Sequence, residues 1–161
     1  MPNGNTEEVQ AGRANPWIFW VVIVVVVSLD VATKAAAVAS LTPAYTPREI
    51  IGNFVRFTLA YNPGAAFGFN LGSASRWIFT ALTLVALGVL ASLYRSTREG
   101  DYMRVLAVAL VSAGAIGNLI DRIRWSVGVV DFIDVGLGDH RFWTFNVADS
   151  AVTVGAILLG W

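Results

Sequence analysis

The chain of 161 residues is 56% hydrophobic and only 14% charged, with a mean hydropathy of +0.63, whereas a soluble domain carries about 25% charged residues; this is the composition of one small integral-membrane domain. It has no cysteine and one histidine, His140, which rules out a disulfide framework and a thiolate or histidine-cluster metal site and argues against a cysteine or serine-histidine nucleophile. Eleven basic residues balance eleven acidic ones, so long-range charge gives no reason to expect nucleic acid as a partner.

Residues 1–15 are polar, with Glu7, Glu8 and Arg13 and almost no apolar periodicity, and read as a disordered tail. Pro16 and Trp17 open the first apolar run. Residues 17–39 (WIFWVVIVVVVSLDVATKAAAVA) supply the roughly 20 residues that cross a hydrocarbon core of about 30 Å. That length, with Asp30 and Lys34 inside the run, favours a retained span over a cleaved signal peptide. Residues 42–75 hold Pro43, Pro47, Pro63 and several glycines, and the alternation over residues 53–59 predicts one or two short strands in an insertion outside the hydrocarbon.

Further spans are expected over about residues 76–94, 102–123 and 142–161, the last only just long enough. Small residues in the third (VLAVALVSAGAIGNLI) would let helices approach closely. Four spans put both termini on one side. Arg95, Arg98 and Arg104 in the short middle connection, with Arg13 ahead of the first span, favour cytoplasmic termini. Arg48, Arg56, Arg76, Arg122, Arg124 and Arg141 fall on the opposite side and weigh against that orientation, although several belong to polar clusters that have their own use for them.

The polar residues inside this apolar frame are expensive in lipid and so mark a working site. Asp30 and Lys34 are spaced i, i+4 and can pair on one helix face; the plainer reading is a lysine reaching for the interface. In YNPGAAFGF, Asn62, Pro63 and Gly64 mark a turn and Gly68 adds backbone freedom. GAIGNLIDR places Asn118, Asp121 and Arg122 on nearly the same side of the third helix. VVDFID contains Asp131 and Asp134, and FNVADS sets Asn146 and Asp149 one turn apart at the start of the fourth helix. Two carboxylates brought together cannot both ionise easily, so one keeps a proton while the other accepts one from water. Asp131 and Asp149 at a common membrane boundary would thus suffice to activate water. The alternative is structural pairing with Arg122, Arg124 or Arg141.

These motifs, in this order and over nearly the whole chain beyond the tail, resemble those of the lipoprotein signal peptidases, or signal peptidase II. The resemblance implies a bacterial inner-membrane aspartic endopeptidase that removes the signal peptide from diacylglyceryl-modified prolipoproteins, cutting just before the lipidated cysteine. It implies Asp131 and Asp149 as the catalytic pair. Asn62, Gly64, Asn118, Asp121, Arg122 and Asn146 would shape the site and bind substrate, and Asp30 and Lys34 would support it. The implied fold is an all-α integral membrane protein of four transmembrane helices, with a small extracytoplasmic β-cradle and a periplasmic helix over the site.

The domain division expected is a tail over residues 1–15 and a membrane peptidase over 16–161, the β-containing insertion lying at about 42–75. No cofactor or metal is expected, the partners are the prolipoprotein and membrane lipid, and the chain is expected to be a monomer. The tail is longer than a minimal member needs, and the C terminus lacks the basic extension of many members. A small transporter or channel is the main rival, since intramembrane carboxylates also line ion paths. It predicts charges spread through the bilayer depth, whereas here they gather at one end.

Overall fold

The computed structural model describes residues 15–64 and 74–161; most of the expected tail, and Gly68 with it, lie outside the described residues. Asn15 caps the first helix, its side chain accepting from the Trp17 N–H at 3.1 Å, and Pro16 follows at the first helical position, where a missing N–H is harmless. This helix, α1, runs Pro16–Ser40. The strands β1, Arg48–Ile51, and β2, Val55–Asn62, come next, followed by α2, Ser75–Arg95, and α3, Tyr102–Arg124. Asp101 caps α3 through the Arg104 N–H. Then come β3, Val129–Leu137, the short β4, His140–Arg141, and α4, Val147–Gly160.

α1, α2 and α3 are long and apolar enough to cross a membrane. Their outward faces expose residues that a water-soluble protein would bury. Trp20, Val24 and Val25 stand out on α1, and Leu82, Val85 and Val89 on α2, a surface suited to hydrocarbon and not to water. The chain is thus a multi-pass membrane protein. α3 is the central helix, packing against α1, α2 and α4. One apolar core joins Phe19 and Ile23 of α1, Leu90 of α2, and Val105, Val108 and Ala113 of α3. Where α3 meets α4, a side chain on Gly114 would run into the Ala148 carbonyl oxygen, so the small residues of the third helix do serve close packing.

The four strands form one antiparallel sheet in the order β1-β2-β3-β4. A second apolar core fixes it to the end of α1, with Ala37 and Leu41 against Leu59, Val130 and Phe132. The expected insertion supplies only half of this sheet; β3 and β4 come from between α3 and α4. For the same reason α4 begins at Val147 and not near Phe142. Phe142 to Phe145 are held against β3, the Phe142 N–H donating to Val135 and the Phe145 N–H to Ile133. At 1.5 Å per residue the 14 residues of α4 reach only about 21 Å. Among the described residues there is no further helix over the site.

Candidate active site

Lys34 is the hinge of the polar end. One helical turn after Asp30, its ammonium lies 2.8 Å from Asp30 Oδ2, 2.9 Å from Asp121 Oδ2 and 3.0 Å from Asn118 Oδ1. Two carboxylate oxygens and one amide oxygen thus lie within 3.0 Å of the ammonium, so the buried cation is paired. Snorkelling is excluded because Lys34 is buried. The close approach of α3 depends on Gly117, where a Cβ would stand 2.6 Å from Asp30 Oδ2.

The two carboxylates that Lys34 joins have second partners on the site itself. Asp30 Oδ1 accepts from the Ala148 N–H at 2.9 Å, and Asp121 Oδ2 accepts from the Val130 N–H at 3.1 Å. Ala148 directly precedes Asp149, and Val130 directly precedes Asp131. The ion cluster therefore fixes the backbone just ahead of each member of the expected pair.

Two asparagines complete the frame. The Asn146 side-chain amide donates to Asp131 Oδ1 at 2.7 Å, to the Val130 carbonyl at 3.2 Å and to Asn118 Oδ1 at 3.1 Å. Asn118 Nδ2 donates to Asp149 Oδ1 at 2.8 Å. Asn146 also caps α4 in a reciprocal box. Its Oδ1 accepts from the Asp149 N–H at 2.9 Å, and its own N–H donates to Asp149 Oδ2 at 3.2 Å. Asp131 and Asp149 are thus hydrogen-bonded to one common residue, and both line one cavity of about 510 Å³ with Asn62, Trp143, Ser150 and Thr153.

Burial pushes the Asp131 carboxyl up to about 7, and the neighbouring charge of Asp149 acts in the same direction, while hydrogen bonds from Asn146 and Asn62 oppose it. Asn62 ends β2 two residues beyond Ala60, which lies opposite Asp131 in the sheet. Its Oδ1 accepts from the Gly64 N–H at 3.0 Å, closing a turn in which Gly64 has φ +97 and faces the Phe79 ring. The Arg122 guanidinium donates to the Asn118 carbonyl at 3.3 Å and stands 5.8 Å from the centre of the Phe79 ring.

Structural pairing of Asp131 or Asp149 with an arginine does not occur among the described residues: neither carboxylate has an ion pair within 4 Å. Arg141 turns instead to Asp134, as does Arg56. Burial alone would raise the Asp134 carboxyl, but hydrogen bonds from Arg141, Arg56 and Thr58 outweigh it and hold the group below its usual range. Sequence reasoning passed over this cluster and also Ser150 and Thr153 on the cavity wall. Thr153 lies one turn beyond Asp149, so helical spacing could have found it. Among the described residues, no group of three or more His, Cys, Asp or Glu side chains is arranged to hold a metal.

The family model described as signal peptidase (SPase) II matches residues 22–161. A lipoprotein signal peptidase of Xanthomonas campestris pv. campestris (strain 8004) is 43% identical over 149 residues, covering 90% of this chain and 88% of that protein. One from Coxiella burnetii (strain RSA 493 / Nine Mile phase I) is 42% identical over 150 residues, covering 91% and 88%. A bacterial membrane enzyme solved by the in meso method at 1.9 Å superposes with a TM-score of 0.80 at 32% identity, covering 92% of this chain and 94% of that one.

Proposed function

The chain belongs to the signal peptidase II family and is a membrane protease that cleaves the signal peptide from prolipoproteins; within that activity we propose that Asp131 and Asp149 are its catalytic pair. The observation that carries this reading is their common hydrogen bonding to Asn146 on the wall of one cavity. A water between them gives a proton to Asp149, whose two oxygens are already aimed by Asn118 and the α4 terminus, as its oxygen attacks the scissile carbonyl carbon. Asp131, raised to about 7, donates its proton to the carbonyl oxygen. On collapse of the tetrahedral intermediate the carbon–nitrogen bond breaks, the departing amine takes a proton from Asp149, and Asp131 regains one from the hydroxyl. Asn62 and Arg122 orient peptide carbonyls, and Asn118, Asp121, Asn146, Gly64, Asp30 and Lys34 hold the frame.

In the bilayer, α4 is the fourth span. Both termini lie in the cytoplasm. Arg95, Arg98 and Arg104, at the end of the molecule away from the aspartates, support this orientation. The site then opens at the extracytoplasmic face of the bacterial inner membrane. The substrate is a diacylglyceryl-modified prolipoprotein whose acyl chains stay in lipid, cut just before the modified cysteine by a monomeric enzyme. The connected network at one end gives no path through the bilayer, which disfavours a transporter or channel.

The test is to purify Asp131→Asn and Asp149→Asn and assay cleavage of a lipidated prolipoprotein in detergent. Each variant should fold and lose at least about 1,000-fold in turnover, since neither half of an acid–base pair can stand in for both. Near wild-type turnover in either would remove that residue from the chemistry.

A further inference from the structure

A second cavity, of about 640 Å³, shares the wall formed by Asn62, Asp131 and Trp143 with the first but extends away from the membrane helices over the sheet. The first cavity follows α4 along Ser150, Thr153 and Val154, the direction in which a substrate's membrane segment must lie. The second therefore receives what lies beyond the scissile bond, the polypeptide leaving the membrane.

Its outer wall carries two arginines, Arg56 and Arg141, around Asp134, while Asp131 stands at its inner end. Asp134 Oδ2 takes the Arg56 Nε at 2.9 Å and the Thr58 hydroxyl at 3.0 Å, and Oδ1 takes the Arg141 Nε at 2.8 Å and Nη2 at 2.7 Å. Asn53 adds its side-chain oxygen to Arg56 and its carbonyl to Arg141. Two guanidinium groups thus share one carboxylate. Glu49, the partner of Arg56 across β1 and β2, enters none of the ion pairs within 4 Å among the described residues. Both arginine side chains keep some exposure, 21% and 17%, whereas that of Asp134 has 6%. The Asp134 carboxylate is saturated and buried, and the partly exposed guanidinium groups line the cavity beside it.

The geometry points to Arg56 and Arg141 as specificity residues that favour an acidic side chain in the first few positions after the lipidated cysteine of the substrate. This rests on the catalytic assignment of Asp131 and Asp149, because that pair fixes where the scissile bond lies. The pair's position makes the chain-exit side the one that carries the arginines. Electrostatic complementarity of this sort sets which partner is preferred more than how tightly any partner binds.

The experiment uses the full chain in neutral detergent and synthetic diacylglyceryl lipopeptides identical except for Asp, Asn or Lys at the second position after the modified cysteine. The wild-type enzyme should cleave the Asp peptide with a kcat/KM about two- to fivefold above the Lys peptide, the range of a partly exposed ion pair. The ratio should shrink as sodium chloride is raised from 50 to 500 mM. Arg56→Gln and Arg141→Gln should each bring the Asp-to-Lys ratio toward one. Either variant leaves Asp134 paired with the remaining arginine, so the sheet is retained. Arg141→Lys, which keeps the charge, should keep the ratio. Equal cleavage of all three peptides by the wild-type enzyme, or a ratio undisturbed in both glutamine variants, would overturn the proposal. So would a ratio near one accompanied by a rate that rises with added phosphatidylglycerol but not phosphatidylcholine and loses that rise in Arg56→Gln, since the arginines would then serve a lipid headgroup. Equal cleavage defeats the specificity alone; intact cleavage by Asp131→Asn or Asp149→Asn defeats the catalytic assignment beneath it.

Discussion

Asn146 holds Asp131 at 2.7 Å through its side-chain amide while heading the helix that bears Asp149. Cap and clamp are separable by substitution. Asn146→Ser keeps an oxygen that can cap α4 but has no amide to give Asp131, whereas Asn146→Ala loses both. We expect kcat to fall roughly 100-fold in each, the scale of a displaced catalytic group, and both to lose the buried amide's hydrogen bonds, with the alanine variant losing about 1 kcal/mol more stability than the serine variant because it also loses the cap. Single-turnover cleavage and thermal unfolding in detergent read the two effects apart. Full turnover in Asn146→Ser would show that Asp131 is positioned by other contacts.

The raised Asp131 carboxyl has consequences of opposite kind for activity and for stability. As the proton donor it must be protonated, so kcat/KM should fall as pH rises through about 7. Because its folded value lies above the ordinary 3.8, the folded state binds the extra proton between those two values. Its contribution to stability is therefore complete below about 3.8 and is lost as pH rises through about 7, with a slope of at most about 1.4 kcal/mol per pH unit. Asp131→Asn carries no such charge and should unfold at a higher temperature than the wild type at pH 8, with the gap closing toward pH 5. A gap that does not depend on pH would contradict the raised value.

The helices, the grouping of polar motifs at one end and the two aspartates were legible because each is local. A run of about 20 apolar residues, or an Asp-Lys pair at i, i+4, carries its own geometry. The sheet was only half legible. β2 sits beside a proline- and glycine-rich stretch that announces a turn, but β3 is buried along Val129 to Phe132. With both faces covered there, it shows no apolar–polar alternation, and VVDFID stands out only for its aspartates. With β3 hidden, the start of α4 was misplaced. The pairing of Arg56 with Asp134, 78 positions apart, was out of reach because strand register alone creates it. The attachment of Asp30 to Ala148 and of Asp121 to Val130 was equally hidden. The residues were visible as candidates, but backbone N–H partners have no signature in side-chain sequence.

That attachment sets the last expectation, on Lys34. Lys34→Met leaves two buried carboxylates, Asp30 and Asp121, without their cation, and breaking a buried pair from one side costs about 3–5 kcal/mol. The variant should be severely destabilised or fail to accumulate. Neutralising the carboxylates as well removes the penalty without removing their acceptor oxygens. The triple variant Lys34→Met, Asp30→Asn, Asp121→Asn can still take the Ala148 and Val130 N–H groups and should recover most of the lost stability. Activity separates framework from charge. Should the cluster serve only to fix the backbone ahead of Asp131 and Asp149, the triple variant will regain turnover along with its fold. Should the ammonium also act on Asp131 through its field, a contribution that lowers the Asp131 carboxyl, the triple variant will fold but shift the upper limb of its pH profile to higher pH. Unfolding in detergent followed by a pH profile of cleavage decides between these, and a triple variant as unstable as Lys34→Met would refute the role of Lys34 as the cation that balances the two carboxylates.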